Sequence, residues 1–242
     1  MRLPAISVLC ALLTAAPGAG AAAAAPACPA APGQALALPH LKAALAAQRP
    51  LVIVALGSSS TAGAMASDRA DSYPAELQDL LIHALPAAEI SVLNRGINGQ
   101  DAAREDGRMG RDVLAVRPQL VIWQVGANAA ARGEDPARFR ALVARGLARL
   151  ERAGVDIVLM DNQRSRRLLA SPDNAPINAA LAALADPPRV NLFSRDRLMR
   201  AWEAGGQALA PFLAADGLHM SDRGYACLAA ALARAITAAV RG

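Results

Sequence analysis

Thirteen consecutive residues constrain this chain more than any others: Leu51-Val52-Ile53-Val54-Ala55-Leu56-Gly57-Ser58-Ser59-Ser60-Thr61-Ala62-Gly63. Six apolar residues, three of them β-branched, predict a strand buried on both faces, as in the middle of a parallel sheet. Gly57 ends the run and permits a tight turn, so the hydroxyls emerge at the strand's carboxyl end. In open α/β sheets that is the end where ligands bind. Two meanings are open at this point: one of these serines is a nucleophile, or the loop cradles a phosphate.

Further short apolar runs at 89–93, 120–125, 155–160 and 190–193 predict four more strands. Helical patterns lie between them, at 38–48, 71–84, 101–116, 136–152, 175–184, 195–204 and 221–240, the third broken by Gly107 and Gly110. Strands alternating with helices predict an α/β fold, a three-layer α/β/α sandwich around a doubly wound, mainly five-stranded parallel sheet. Polar or glycine residues follow each of the first four strands. Ser59, Gly99, Asn128 and Asp161 are therefore expected to converge on one crevice, with Ser58, Ser60 and Asn162 beside them as candidate lining.

A chain of 242 residues, 54% hydrophobic, can bury one sizeable core. Residues 38–242 are expected to form that single domain. Residues 1–25 read as a secretory signal peptide: a basic start at Arg2, an apolar stretch over 3–16, then small residues with A-x-A-like cleavage sites. The apolar stretch is shorter than the roughly 20 residues that span a bilayer, so no stable membrane insertion is expected after cleavage. Residues 26–37, rich in Ala, Pro and Gly, read as a flexible leader, disordered or draped on the surface. The expected location is thus outside the cytoplasm, periplasmic or secreted.

Removing the signal leaves 24 basic against 20 acidic side chains, spread along the chain, with only seven aromatics. A nucleic-acid binder would show a concentrated basic stripe with aromatics to stack on, so that class is set aside. Cys28 and Cys227 remain after signal removal. In an oxidising compartment they can pair; otherwise Cys227 is a buried free thiol. No metal site is indicated, since two distant cysteines and scattered histidines do not make a ligand set.

A serine hydroxyl needs a base to take its proton, a group to orient the base, and donors for the oxyanion that forms. Of the three histidines, His40 and His83 read as surface or packing residues. His219 lies in a glycine-containing loop with Asp216 three residues before it. On a turn that spacing lets a carboxylate fix the imidazole tautomer and leave the other nitrogen free. Alone, the same pattern also fits a helix cap, with His219 solvated.

Taken together and in order, these residues resemble the SGNH (GDSL-type) serine hydrolases. Gly57-Ser58-Ser59 is similar to the family's first block, Gly99 to the glycine of the second, Gly126-Ala127-Asn128 to the third and Asp216-x-x-His219 to the fifth. The resemblance covers about residues 51–225. It implies a flavodoxin-like sheet of the SGNH hydrolase type, with Ser59 as nucleophile, His219 as base and Asp216 orienting it. The Ser59 and Gly99 N–H groups and the Asn128 side chain would form the oxyanion hole, and no cofactor is implied. Two departures stand out. Ser58 occupies the place of the usual aspartate, and Ala129 follows Asn128 where an aspartate is common.

The implied activity is an exported esterase acting on a small-molecule or glycan-linked ester. The alternatives are an acyl or acetyl transferase or deacetylase on an envelope glycan, and a non-catalytic envelope-binding protein of the same fold. The G-x-S-x-G elbow of α/β-hydrolases is not met, because Thr61 stands where its second glycine belongs. A flavodoxin-type phosphate loop would leave Gly99, Asn128 and the Asp216/His219 pair unexplained. Arg164, Arg166 and Arg167 follow the fourth strand, where they either meet an anionic substrate or are simply solvated.

Overall fold

The computed structural model describes residues 27–242, and the expected signal peptide at 1–25 lies outside them. In chain order the elements are α1 (Pro39–Ala46), β1 (Leu51–Gly57), α2 (Ser59–Ala62), α3 (Tyr73–Ala84), β2 (Ile90–Gly96) and α4 (Ala102–Asp112). Then come β3 (Leu120–Gln124), α5 (Ala127–Arg132), α6 (Pro136–Arg152), β4 (Asp156–Met160) and α7 (Arg166–Leu169). The chain ends through α8 (Asn174–Ala182), β5 (Val190–Phe193), α9 (Arg195–Ala204) and α10 (Asp222–Arg241).

The five strands form one parallel sheet in the order β2-β1-β3-β4-β5. β1 and β3, with a partner on each edge and helices on each face, are the apolar runs without alternation that the sequence shows. On one face Leu51, Ile53, Leu120 and Ile122 pack with Leu77 and Leu81 of α3 and with Leu228 and Leu232 of α10. On the other, Val54, Leu56, Val121 and Trp123 pack with Met109 of α4 and with Phe139, Val143 and Leu147 of α6. The strand order reverses direction between β1 and β3, and it is there that a crevice opens at the carboxyl edge of such a sheet.

Three details depart from the expected elements. α4 runs without a break through Gly107 and Gly110, each costing roughly 1 kcal/mol of helix propensity. Asp101 caps it by accepting from the Arg104 N–H, and its charged side chains are anchored: Trp123 Nε1 donates to Glu105, and Arg145 and Arg149 pair with Asp106. α5 follows β3 directly, flanked by Gly126 and Gly133, both in the left-handed region. The leader over 27–37 is draped on the surface and held there. Cys28 is joined to Cys227 by a disulfide, and the Gln34 side chain donates to the Ser194 carbonyl and accepts from the Ser194 N–H and from Arg197. The Asn191 amide brackets Ala37 on both its N–H and its carbonyl. The leader is thus a surface strap tied by hydrogen bonds and a covalent link.

Candidate active site

Ser59 opens α2, the single helical turn that β1 feeds, and it is only partly buried while Ser58 and Ser60 on either side are buried. Gly57 is required at the strand's last position: a Cβ there would lie 2.3 Å from Thr61 Oγ1. Beneath the turn, Gln124 Oε1 accepts from the Ser58 N–H, the Ser58 hydroxyl and the Thr61 hydroxyl. A serine in place of the usual aspartate at 58 is thus satisfied from the end of β3. The loop beyond α2 is fastened to α10, with Ser67 donating through N–H and hydroxyl to Asp222, and Tyr225 donating to the Ala64 carbonyl.

That same helix is preceded by the loop that carries Asp216 and His219. His219 Nε2 lies 2.7 Å from Ser59 Oγ, and His219 Nδ1 lies 2.5 Å from Asp216 Oδ2. Asp216 Oδ1 also accepts from the Leu218 and His219 N–H groups, closing the turn that the spacing requires. Burial by itself would raise the Asp216 pKa. The hydrogen bonds from the Leu218 N–H, the His219 ring and the His219 N–H outweigh it and hold the carboxyl below its ordinary value. In the tautomer whose Nδ1–H donates to Asp216, Nε2 is the nitrogen that faces the serine hydroxyl. His40 and His83 are both exposed and apart from this group.

The loop after β2 meets the end of β1, where the Ile97 N–H donates to the Gly57 carbonyl, and it meets the start of α5 through Gln100. Gly99 adopts φ +73°, a left-handed conformation. Among the described residues nothing accepts from the N–H of Ser59 or of Gly99. Asn128, in the first turn of α5, donates one Nδ2 hydrogen to the Gln100 carbonyl at 2.7 Å, and its second amide hydrogen is uncommitted. This contact supplies support to the amide in a chain whose next residue is Ala129.

Two arginines that sequence reasoning did not single out brace this loop. Arg108 Nη2 donates to the Gly57 and Arg95 carbonyls and its Nε to Gln100, tying the ends of β1 and β2 to the loop. Arg132 Nη2 donates to the Gly99 carbonyl. The Asn-Arg-Gly-Ile-Asn-Gly-Gln stretch marked the loop but carried no signal for its distant partners.

Four expected crevice residues are corrected. The Asp161 carboxylate is buried, accepting from the Ser194 hydroxyl and from the Arg195 and Asp196 N–H groups, so it caps α9. Burial pushes its pKa up to about 6, against the lowering effect of those bonds. Asn162 is buried and donates to Asn174, while Ser58 and Ser60 turn into the protein. A strand's polar end has helix termini to satisfy as well as a crevice to line, and at β4 the helix won.

The sequence model of the non-GDSL lipase-like family matches residues 22–242. No functionally curated protein matches the sequence. Among solved structures, a two-domain esterase (CEX) active on acetylated mannans aligns with a TM-score of 0.69 at 19% identity, over 86% of this chain and 55% of that one. This chain therefore spans little more than half the length of that esterase. A lipase/acylhydrolase from Enterococcus faecalis aligns with a TM-score of 0.60 at 24% identity, over 78% of this chain and 96% of that one. A catalytic mutant of Axe2, an acetylxylan esterase from Geobacillus stearothermophilus, gives 0.62 at 19% identity, over 77% and 94%. These likenesses bear on the fold.

Proposed function

The chain belongs to the non-GDSL lipase-like family, and from that premise we propose that it is an exported serine esterase of the SGNH type that cleaves its substrate through an acyl-enzyme on Ser59. The observation that carries this reading is the hydrogen-bonded line from Asp216 through His219 to Ser59. Ser59 Oγ attacks the ester carbonyl while its proton passes to His219 Nε2. The carbonyl oxygen becomes an oxyanion facing the Ser59 and Gly99 N–H groups and the Asn128 amide. His219 then gives its proton to the departing alkoxide, leaving acyl-Ser59. Water, deprotonated by the same nitrogen, releases the acid and restores the serine.

Export is supported by the basic, apolar and small-residue succession at the start of the chain and by the Cys28–Cys227 disulfide, a bond that persists in oxidising compartments. An organic ester as substrate is supported by Met65, Ile97 and Leu169, exposed apolar side chains on or beside the loops that follow β1, β2 and β4. A second reading is removal or transfer of acetyl groups on a glycan. It is favoured by the acetylated mannans on which one of the similar structures acts and by the acetylxylan esterase among the others.

The test is turnover of p-nitrophenyl esters from acetate to octanoate by the protein, Ser59→Ala and His219→Ala. Ser59→Ala abolishes turnover, and His219→Ala lowers kcat by about three decades or more. A rate unchanged in Ser59→Ala overturns the nucleophile. Turnover confined to acetate supports the glycan reading, and a rise toward octanoate removes it.

A further inference from the structure

The general acid step fixes where the alcohol half of the ester must lie. His219 Nε2 protonates the departing oxygen, so the alcohol sits on the histidine's side of the scissile carbonyl, away from Gly99 and Asn128. A cleft of about 460 Å³ lies between the segment after β4 and the loop leading to His219, and it reaches that loop at Gly217. Leu169, Leu209, Leu213 and Ala214 line it with the guanidinium-bearing Arg164 and Arg166. The volume is in the range of small-molecule sites.

The two arginines differ in one respect. Arg164 is spent within the protein, pairing with Asp196 at 3.1 Å and Glu203 at 2.7 Å. Arg166 makes no ion pair and no side-chain hydrogen bond among the described residues. Arg166 is an exposed residue. It packs over Gly217, where a Cβ would lie 3.1 Å from Nη2 and 3.4 Å from Nε. The Arg167 N–H donates to the Gly217 carbonyl, joining the start of α7 to that loop. Gly217 lies between Asp216 and His219, at φ +69°. A flat cation with unspent donors therefore lies against the loop that carries Asp216 and His219. The only carboxylate lining the cleft, Glu203, is already taken by Arg164.

We infer that this cleft receives the alcohol portion of the ester, and that Arg166 selects alcohols bearing an anionic group. The guanidinium fork matches a carboxylate or a phosphate with two parallel N–H donors, while the leucines cover the apolar frame that carries the anion. This rests on the esterase reading and specifies the substrate class it acts on.

Three acetates with the same acyl group test the inference: phenyl acetate, 4-acetoxybenzoate and 4-acetoxyphenyl phosphate. The readout is kcat/KM of each anionic ester divided by that of phenyl acetate, for the protein, Arg166→Ala and Arg166→Glu. Because each variant is compared with the parent on the same compounds, differences in intrinsic reactivity cancel. Arg166→Ala is expected to lower the ratio about tenfold or more for the preferred anion, and Arg166→Glu further. Added salt should shrink the parent ratio and leave that of Arg166→Ala nearly level. A larger fall for the benzoate assigns a carboxylate, and a larger fall for the phosphoester assigns a phosphate. Ratios that do not change in Arg166→Ala, with phenyl acetate still turned over in a Ser59-dependent way, overturn this inference alone. Loss of Ser59 dependence for all three overturns it together with the esterase reading.

Discussion

Gly96 lies so close to Ala62 that a Cβ at position 96 would sit 2.1 Å from the Ala62 nitrogen. The end of β2 is thereby pressed against the helical turn that presents Ser59. Substituting Gly96→Ala forces that backbone apart, and overpacking of this kind typically costs about 1–3 kcal/mol. The expected outcome is a lower melting temperature together with a fall in kcat on a p-nitrophenyl ester, because the displaced turn carries the nucleophile. A variant with parent melting temperature and kcat would show that the contact does not position Ser59.

In the proposed mechanism Asn128 joins two jobs in one amide. One hydrogen holds the Gln100 carbonyl and the other is available to an oxyanion. Asn128→Ala is expected to lower kcat by about 100- to 1000-fold, the usual cost of one oxyanion donor at about 3–4 kcal/mol. KM should change much less. A KM increase with unchanged kcat would assign Asn128 to binding alone.

Glu105 is buried against Trp123, and burial, only partly offset by the Trp123 hydrogen bond and the Arg108 charge, pushes its pKa from 4.5 up to about 8. The folded state then holds a proton that the unfolded chain has lost, so stability falls as pH rises from about 4.5 to 8 and levels off above that. Asp161, raised to about 6, adds to the same slope below pH 6. Melting temperature should therefore decline from pH 5 to pH 8, and Glu105→Gln should flatten the part above pH 6. A curve that rises over this range would contradict the sign.

The Cys28–Cys227 link closes a loop of 199 residues. In the chain-entropy model such a closure stabilises by about 5 kcal/mol, an upper figure. In protein lacking residues 1–25, and with them Cys10, alkylation without reductant is expected to leave the mass unchanged; two added labels would reject the bond. Cys28→Ser should lower the melting temperature by several degrees while leaving the Gln34 hydrogen bonds to Ser194 available to hold the leader.

The strands were legible because double burial leaves an unmistakable mark. β1, β3 and β4 are short apolar runs, each bounded by turn residues, and the observed limits fall within a residue of the expected ones. The hydrogen-bonded pair Asp216 and His219 was legible as well, since their three-residue spacing is a local property, while the contact of His219 with Ser59 joins segments 160 residues apart. Asp161 and Asn162 were misread for the same reason. A polar residue after a strand looks alike whether it faces solvent or caps a helix, and only the position of α9 decides.

Sequence by itself determined the parallel sheet, its carboxyl edge and the spacing that brings Asp216 to His219, because burial periodicity and turn spacing are written in adjacent positions. Tertiary structure decided what supports them. Gln124 under the Ser58 turn, Arg108 across the ends of β1 and β2, the Gly96 contact with Ala62 and the unpaired Arg166 over Gly217 all join segments distant in the chain. Such pairings depend on where helices pack on the sheet, and no local pattern encodes the partner of a long side chain or the space that a missing one leaves.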